Sequence, residues 1–124
     1  MEEEQVEHSA NFIKLQKLVD ENFTDLVKHV EEKERSLTVS KQELRQVYLD
    51  AAKQIGDAER ELKKIPFTHF EGYGITKLAE AFRCMRRAYN SFAIGQPGKA
   101  EKYLQRFAKV SDEYVELRQK QLGN

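Results

Sequence analysis

Cysteine is nearly missing from this 124-residue chain: Cys84 stands alone, there is no tryptophan, and proline occurs only twice and glycine six times. A lone thiol excludes an internal disulfide and any metal framework built from paired cysteines, and it fits a reducing compartment. So few prolines and glycines leave little punctuation for a many-stranded fold or a disordered linker. No window approaches the ~20 apolar residues that a membrane span needs. Met1-Glu2-Glu3-Glu4 opens the chain with acids rather than the basic and apolar residues of a targeting segment. The expectation is a soluble, cytoplasmic protein.

What the chain does have is charge and apolar periodicity. Charged residues make up 34% and the hydrophobic set 40%, the composition of a protein built from long helices. Its length fits one domain spanning residues 1–124. The formal charge is zero, 21 bases against 21 acids, but residues 2–35 hold ten acids to five bases. Residues 75–94 reverse the sign, with Lys77, Arg83, Arg86 and Arg87 against Glu80. Either the acidic first helix packs beside the basic segment, or the basic surface stays open to a charged partner.

The strongest pattern lies in residues 75–122. Ile75, Leu78, Phe82, Met85, Tyr89 and Phe92 recur at spacings of three and four, as do Ala100, Tyr103, Phe107, Val110, Tyr114 and Leu117. Each set forms one stripe of a helix. Gly95-Gln96-Pro97-Gly98 joins them, glycine suited to a positive φ after the first helix and proline to the first position of the second. An antiparallel hairpin follows.

Upstream, Phe12, Leu15, Val19, Phe23, Leu26 and Val30 mark a first helix, with no glycine or proline before residue 56. Ser40-Lys41-Gln42-Glu43 is a capping box flanked by Val39 and Leu44, which starts a second helix at Lys41. A competing reading keeps one rod from Glu2 to Ile65, because Val30, Leu37, Leu44, Ala51, Ala58 and Ile65 hold a seven-residue spacing. Gly56 inside the second helix points to close approach of a neighbour, and Pro66 ends it. Residues 66–74 then read as a loop. The fold expected is an all-α antiparallel bundle of four helices, about 3–35, 41–65, 75–94 and 98–121, the first overhanging the others.

Little in this pattern carries chemistry. His8, His29 and His69 fall in no metal-binding spacing, so no metal site is expected. Cys84 lies between Arg83 and Arg86, whose charges would favour a thiolate, yet no His or Asp sits at helical contact spacing to activate it. Gly72-Tyr73-Gly74 lacks the strand, third glycine and Lys-Ser or Lys-Thr of a phosphate-cradling loop, so no cofactor is expected. No catalytic residue is assigned. The residues singled out for contact with a partner or a phosphate group are Lys63, Lys64, Lys77, Arg83, Arg86 and Arg87. The aromatics Phe67, Phe70 and Tyr73 are either a plug over one end of the bundle or an interface. A pI near 6.8 and the lack of a recognition motif argue against nucleic acid as a partner.

The segments Leu78-Ala79-Glu80-Ala81-Phe82, Ser91-Phe92-Ala93-Ile94 and Lys102-Tyr103-Leu104, with Pro97 and Ala108, resemble helices of BAR domains of the sorting-nexin type over about residues 78–108. The resemblance implies a curved homodimer that binds anionic membrane through basic side chains. From the residues themselves, the function expected is a non-enzymatic helical interaction module, an adaptor, scaffold or assembly subunit. It would bind protein partners, or a second copy of itself, through a helix face or the 66–74 aromatics. The alternative is a BAR-like dimer on a membrane surface, using the basic residues of the third helix; a thiol-dependent enzyme ranks third.

Overall fold

A computed structural model describes the backbone of residues 2–66 and 69–122, and the side chains of residues 10–11, 13–66 and 75–120. Among these, every regular element is helical. The first rod comprises α1 (Glu2–Val19), a π-helical segment (Asp20–Asp25) and α2 (Leu26–Arg35); α3 (Lys41–Lys64), α4 (His69–Ala93) and α5 (Pro97–Leu122) complete an all-α four-helix bundle.

Ring and polar contacts fix the directions of the rods. Along α3 and α4, Tyr48 meets Tyr89 and Phe92, while Glu59 meets Arg83 and Arg86, so numbers rise on one helix as they fall on the other. The same crossing order relates Lys77 and Glu80 of α4 to Glu113 and Arg106 of α5. It also relates Asn22 and Glu34 of the first rod to Gln54 and Tyr48 of α3. All three pairs are antiparallel. Asn11 donates to the Pro66 carbonyl at 2.8 Å, so the turns of α1 before it run on past the end of α3.

The capping box, and not the seven-residue spacing, decides where α3 begins. The Ser40 hydroxyl accepts from the Glu43 amide at 3.1 Å, and Ser36 has left helical geometry at ψ 126°. Leu37, which a continuous rod would have kept on the seam, is fully exposed at 103%. The α4–α5 turn matches its expectation: Gly95 sits at φ 76°, its amide donates to the Phe92 carbonyl, and the Gln96 amide reaches the Ser91 carbonyl at 2.9 Å. This pair of bonds is the Schellman closure that glycine permits without a Cβ clash.

One boundary differs. Residues 69–74, expected as loop, form the first turns of α4. Gly72 and Gly74 cost about 1 kcal/mol each in a helix, but a long amphipathic segment propagates through them because every added residue contributes a hydrogen bond once the nucleus exists. The side chains of Phe67, Phe70 and Tyr73, and of His8 and His69, lie outside the described residues.

The π segment answers a problem of phase. Leu18, Asn22, Leu26, Val30 and Glu34 follow one another at intervals of four; Asn22, Leu26 and Val30 are buried, and Glu34 accepts from the Tyr48 hydroxyl. In an α-helix each four-residue step overshoots a full turn by about 40°. The wider turn, seen where the Leu26 amide reaches back to the Glu21 carbonyl, takes up that drift. Asn22 donates its side-chain amide to the Leu18 carbonyl at 2.8 Å and accepts from Gln54 at 3.3 Å, which satisfies a polar side chain that is 2% exposed.

The helices do not lie equally close. Ala51, Ala52 and Ala58 of α3, Ala81, Ala88 and Ala93 of α4 and Ala100 of α5 are all buried, and small side chains let backbones approach. No described Cα of the first rod comes within 8 Å of one in α4 or α5. Large side chains bridge that gap: Phe23 meets Phe82 at 4.7 Å between ring centroids and Phe107 at 5.1 Å, edge-on. Ile55, Leu62, Leu78 and Phe82, fully buried, form the centre.

Candidate functional site

The basic residues picked out in the sequence do not form one surface. Arg83 and Arg86 both turn to Glu59 of α3, at 3.5 and 3.6 Å, and Lys63 reaches the same carboxylate at 3.9 Å. Glu59 is only 7% exposed, so its charge is compensated at the α3–α4 interface chiefly by Arg83 and Arg86, with Lys63 at the solvent edge. Lys64 pairs with Glu61 on the exposed face of α3, at 3.1 Å. Lys77 crosses to Glu113 of α5 at 2.7 Å, and this hydrogen bond holds the Glu113 carboxyl below its ordinary range. Arg83 and Arg87 are four residues apart, about one helical turn, yet the structure pairs Arg83 with Arg86, because both can reach the carboxylate of α3.

Arg87 turns elsewhere. It lines a wide-mouthed cleft of about 290 Å³ at the α4–α5 turn, together with Asn90, Ser91, Ile94, Lys99 and Tyr103. The cleft lies where the Schellman closure joins the end of α4 to the start of α5. Ser91 is buried and donates its hydroxyl to the Arg87 carbonyl at 2.8 Å, which ties the floor to the helix backbone. Arg87 and Lys99 are exposed, and neither side chain is paired with a carboxylate among the described residues. Sequence reading found Arg87 but missed Asn90, Lys99 and Tyr103, which converge only once the turn is folded.

Glu59 was missed as well, although its position was informative: it falls four residues after Ile55 and three before Leu62, on the apolar stripe of α3. An acid on such a stripe calls for cations on the facing helix.

Cys84 is buried, and burial pushes its thiol above the ordinary range. The expected lowering by Arg83 and Arg86 does not occur, because both are turned to Glu59. The cation that counteracts burial most is Arg106 of α5, which also donates to Glu80 at 2.6 Å. Tyr48 and Tyr89 are buried near Glu34, and desolvation raises both phenols, Tyr89 to about 12.

Among the described residues no three His, Cys, Asp or Glu side chains are grouped to hold a metal ion, and no helix is long and apolar enough to cross a membrane. Two large apolar side chains stand out at the end where the 36–40 and 94–96 connectors lie: Leu37 at 103% and Ile94 at 59% exposure. Tyr48, in the second turn of α3, stacks on Phe92 at 5.2 Å and so holds the two connectors at one end of the bundle. Compared with models of protein families, with curated proteins and with solved structures, the chain matches none.

Proposed function

We propose that this protein is a non-enzymatic helical interaction module, an adaptor, scaffold or assembly subunit that holds protein partners at the bundle end carrying the 36–40 and 94–96 connectors. The observation that carries this reading is the exposure of Leu37 and Ile94 at the bundle end that also carries the cleft of Arg87 and Lys99, which Ile94 lines. An exposed apolar side chain next to uncompensated charge is how the centre and rim of an interface differ from ordinary surface. The membrane-bound dimer implied by the BAR resemblance would draw on the cations of α4. Lys77, Arg83 and Arg86 already face carboxylates, which leaves Arg87 and favours a protein partner.

The test compares partners crosslinked to the wild-type chain in cells with those of a Leu37→Asp, Ile94→Asp double variant. Both sites are exposed, so the fold tolerates the change. Selective loss of partners at an unchanged melting temperature supports the reading; an unaltered partner set refutes it.

A further inference from the structure

We propose that the cleft at the α4–α5 turn binds an acidic segment of a partner protein, with two carboxylates seated on Arg87 and Lys99 and an aliphatic side chain resting on Ile94. This deepens the interaction-module reading and rests on it. Charge is the first ground. Three cations of α4, Lys77, Arg83 and Arg86, are met by Glu113 or Glu59 from the neighbouring helices. The fourth, Arg87, faces a cleft whose lining holds Lys99 and no carboxylate.

The donors are the second ground. Arg87 comes from the last turns of α4 and Lys99 from the first turn of α5, so the two charges approach a ligand from different walls. Asn90 and Tyr103 line the same cleft, and their amide and hydroxyl are groups able to orient an oxygen. A guanidinium takes a carboxylate through two parallel N–H bonds, which suits a side chain better than a diffuse surface charge.

Size and polarity select among anions. A volume of about 290 Å³ equals about ten water molecules, enough for a few side chains of a peptide. Ile94, 59% exposed at the rim, has nothing to offer a bare inorganic ion but gives an aliphatic side chain a surface to cover. Two cations are few for an anionic lipid surface, which recognises clusters of four to eight.

The experiment titrates the 15N-labelled full chain with the peptide acetyl-Glu-Leu-Glu-amide and follows the Arg87 Nε, Asn90 Nδ2, Lys99 and Tyr103 signals. Saturable shifts are expected at these positions, weakening as salt rises to about 0.5 M. The Arg87→Ser, Lys99→Ser double variant should lose at least tenfold in affinity, with its remaining spectrum and melting temperature unchanged. Ile94→Ser should weaken the peptide and leave phosphate unaffected. Shifts scattered over the surface, no shifts at all, or equal binding of acetyl-Lys-Leu-Lys-amide would overturn the proposal. So would inorganic phosphate binding as tightly as the peptide at matched ionic strength. Cosedimentation with phosphatidylserine vesicles that depends on Arg87 and Lys99 would overturn it in favour of a lipid headgroup. Partners crosslinked through Leu37 and Ile94 that survive the Arg87→Ser, Lys99→Ser change would sink the cleft alone and leave the broader reading standing.

Discussion

Replacing Glu59 by glutamine keeps the shape of the side chain and removes the charge that Lys63, Arg83 and Arg86 share. The carboxylate side chain is 9% exposed, whereas those of Arg83 and Arg86 are 41% and 34% exposed. Stranding a cation in a dry interior costs about 3–5 kcal/mol, and breaking an exposed pair costs about 0.2–1 kcal/mol. The two arginines fall between these limits, because water reaches each guanidinium once its partner is gone, and about 1 kcal/mol apiece is reasonable. Lys63, at 3.9 Å and 64% exposed, adds almost nothing. Glu59→Gln should therefore cost about 2 kcal/mol, a fall of about 8 °C in melting temperature for a chain this long. A second background sharpens the test. In an Arg83→Met, Arg86→Met protein the buried carboxylate has lost its main partners, so Glu59→Gln should there be neutral or stabilising. Thermal melts of the four proteins give the coupling directly. An equal loss in both backgrounds would refute the idea that α3 and α4 are pinned by this charge cluster.

Three further outcomes follow from the same interior. Burial disfavours the charged forms of Tyr48 and Tyr89, so the stability each contributes is complete below the ordinary tyrosine value near 10 and is lost as pH rises above it, for Tyr89 as pH climbs through about 12. Tyr89 alone accounts for about 3 kcal/mol over that window, and melts of Tyr89→Phe should flatten the loss. Cys84, buried and pushed upward, should react with an aromatic disulfide reagent at neutral pH at least a hundredfold more slowly in the native than in the unfolded protein; comparable rates would contradict its placement. Gly56→Ala should raise the melting temperature by a few degrees, since the new Cβ would sit 3.4 Å from the Arg86 side chain and helix propensity favours alanine by about 1 kcal/mol. Gly56→Leu should lower it by displacing Arg86 from Glu59.

The rods were legible because their signals are local. Apolar spacing, the Ser40 cap and Gly95 before Pro97 act within a few residues, and each recurs in the structure. Local spacing was silent on two matters. A heptad series through Leu37 competed with the cap, and the cap hydrogen bond together with the extended Ser36 wins: Val30, Ala51 and Ala58 are buried on separate helices while Leu37 falls in the connector between them. Gly72 and Gly74 read as loop because residue preference ignores the cooperativity that carries α4 back to His69. The pairing of Arg83 and Arg86 with Glu59, and the cleft of Arg87, Lys99 and Tyr103, depend on which helices face each other. A single chain's spacing does not encode that.

The wide turn at Asp20–Asp25 makes the first rod behave as two gears on one axle, cut to different teeth. Upstream, Leu15 sits in the core; downstream, Leu26 and Val30 do so only because one extra residue has been absorbed between them. Straightening the turn to plain α-helix while keeping that residue would swing Glu34 about 100° away from Tyr48, whereas deleting one residue there would leave both halves in phase. The length of this rod is thus tied to its rotation, and the segment that looks most like a flaw is what keeps both halves in mesh with α3.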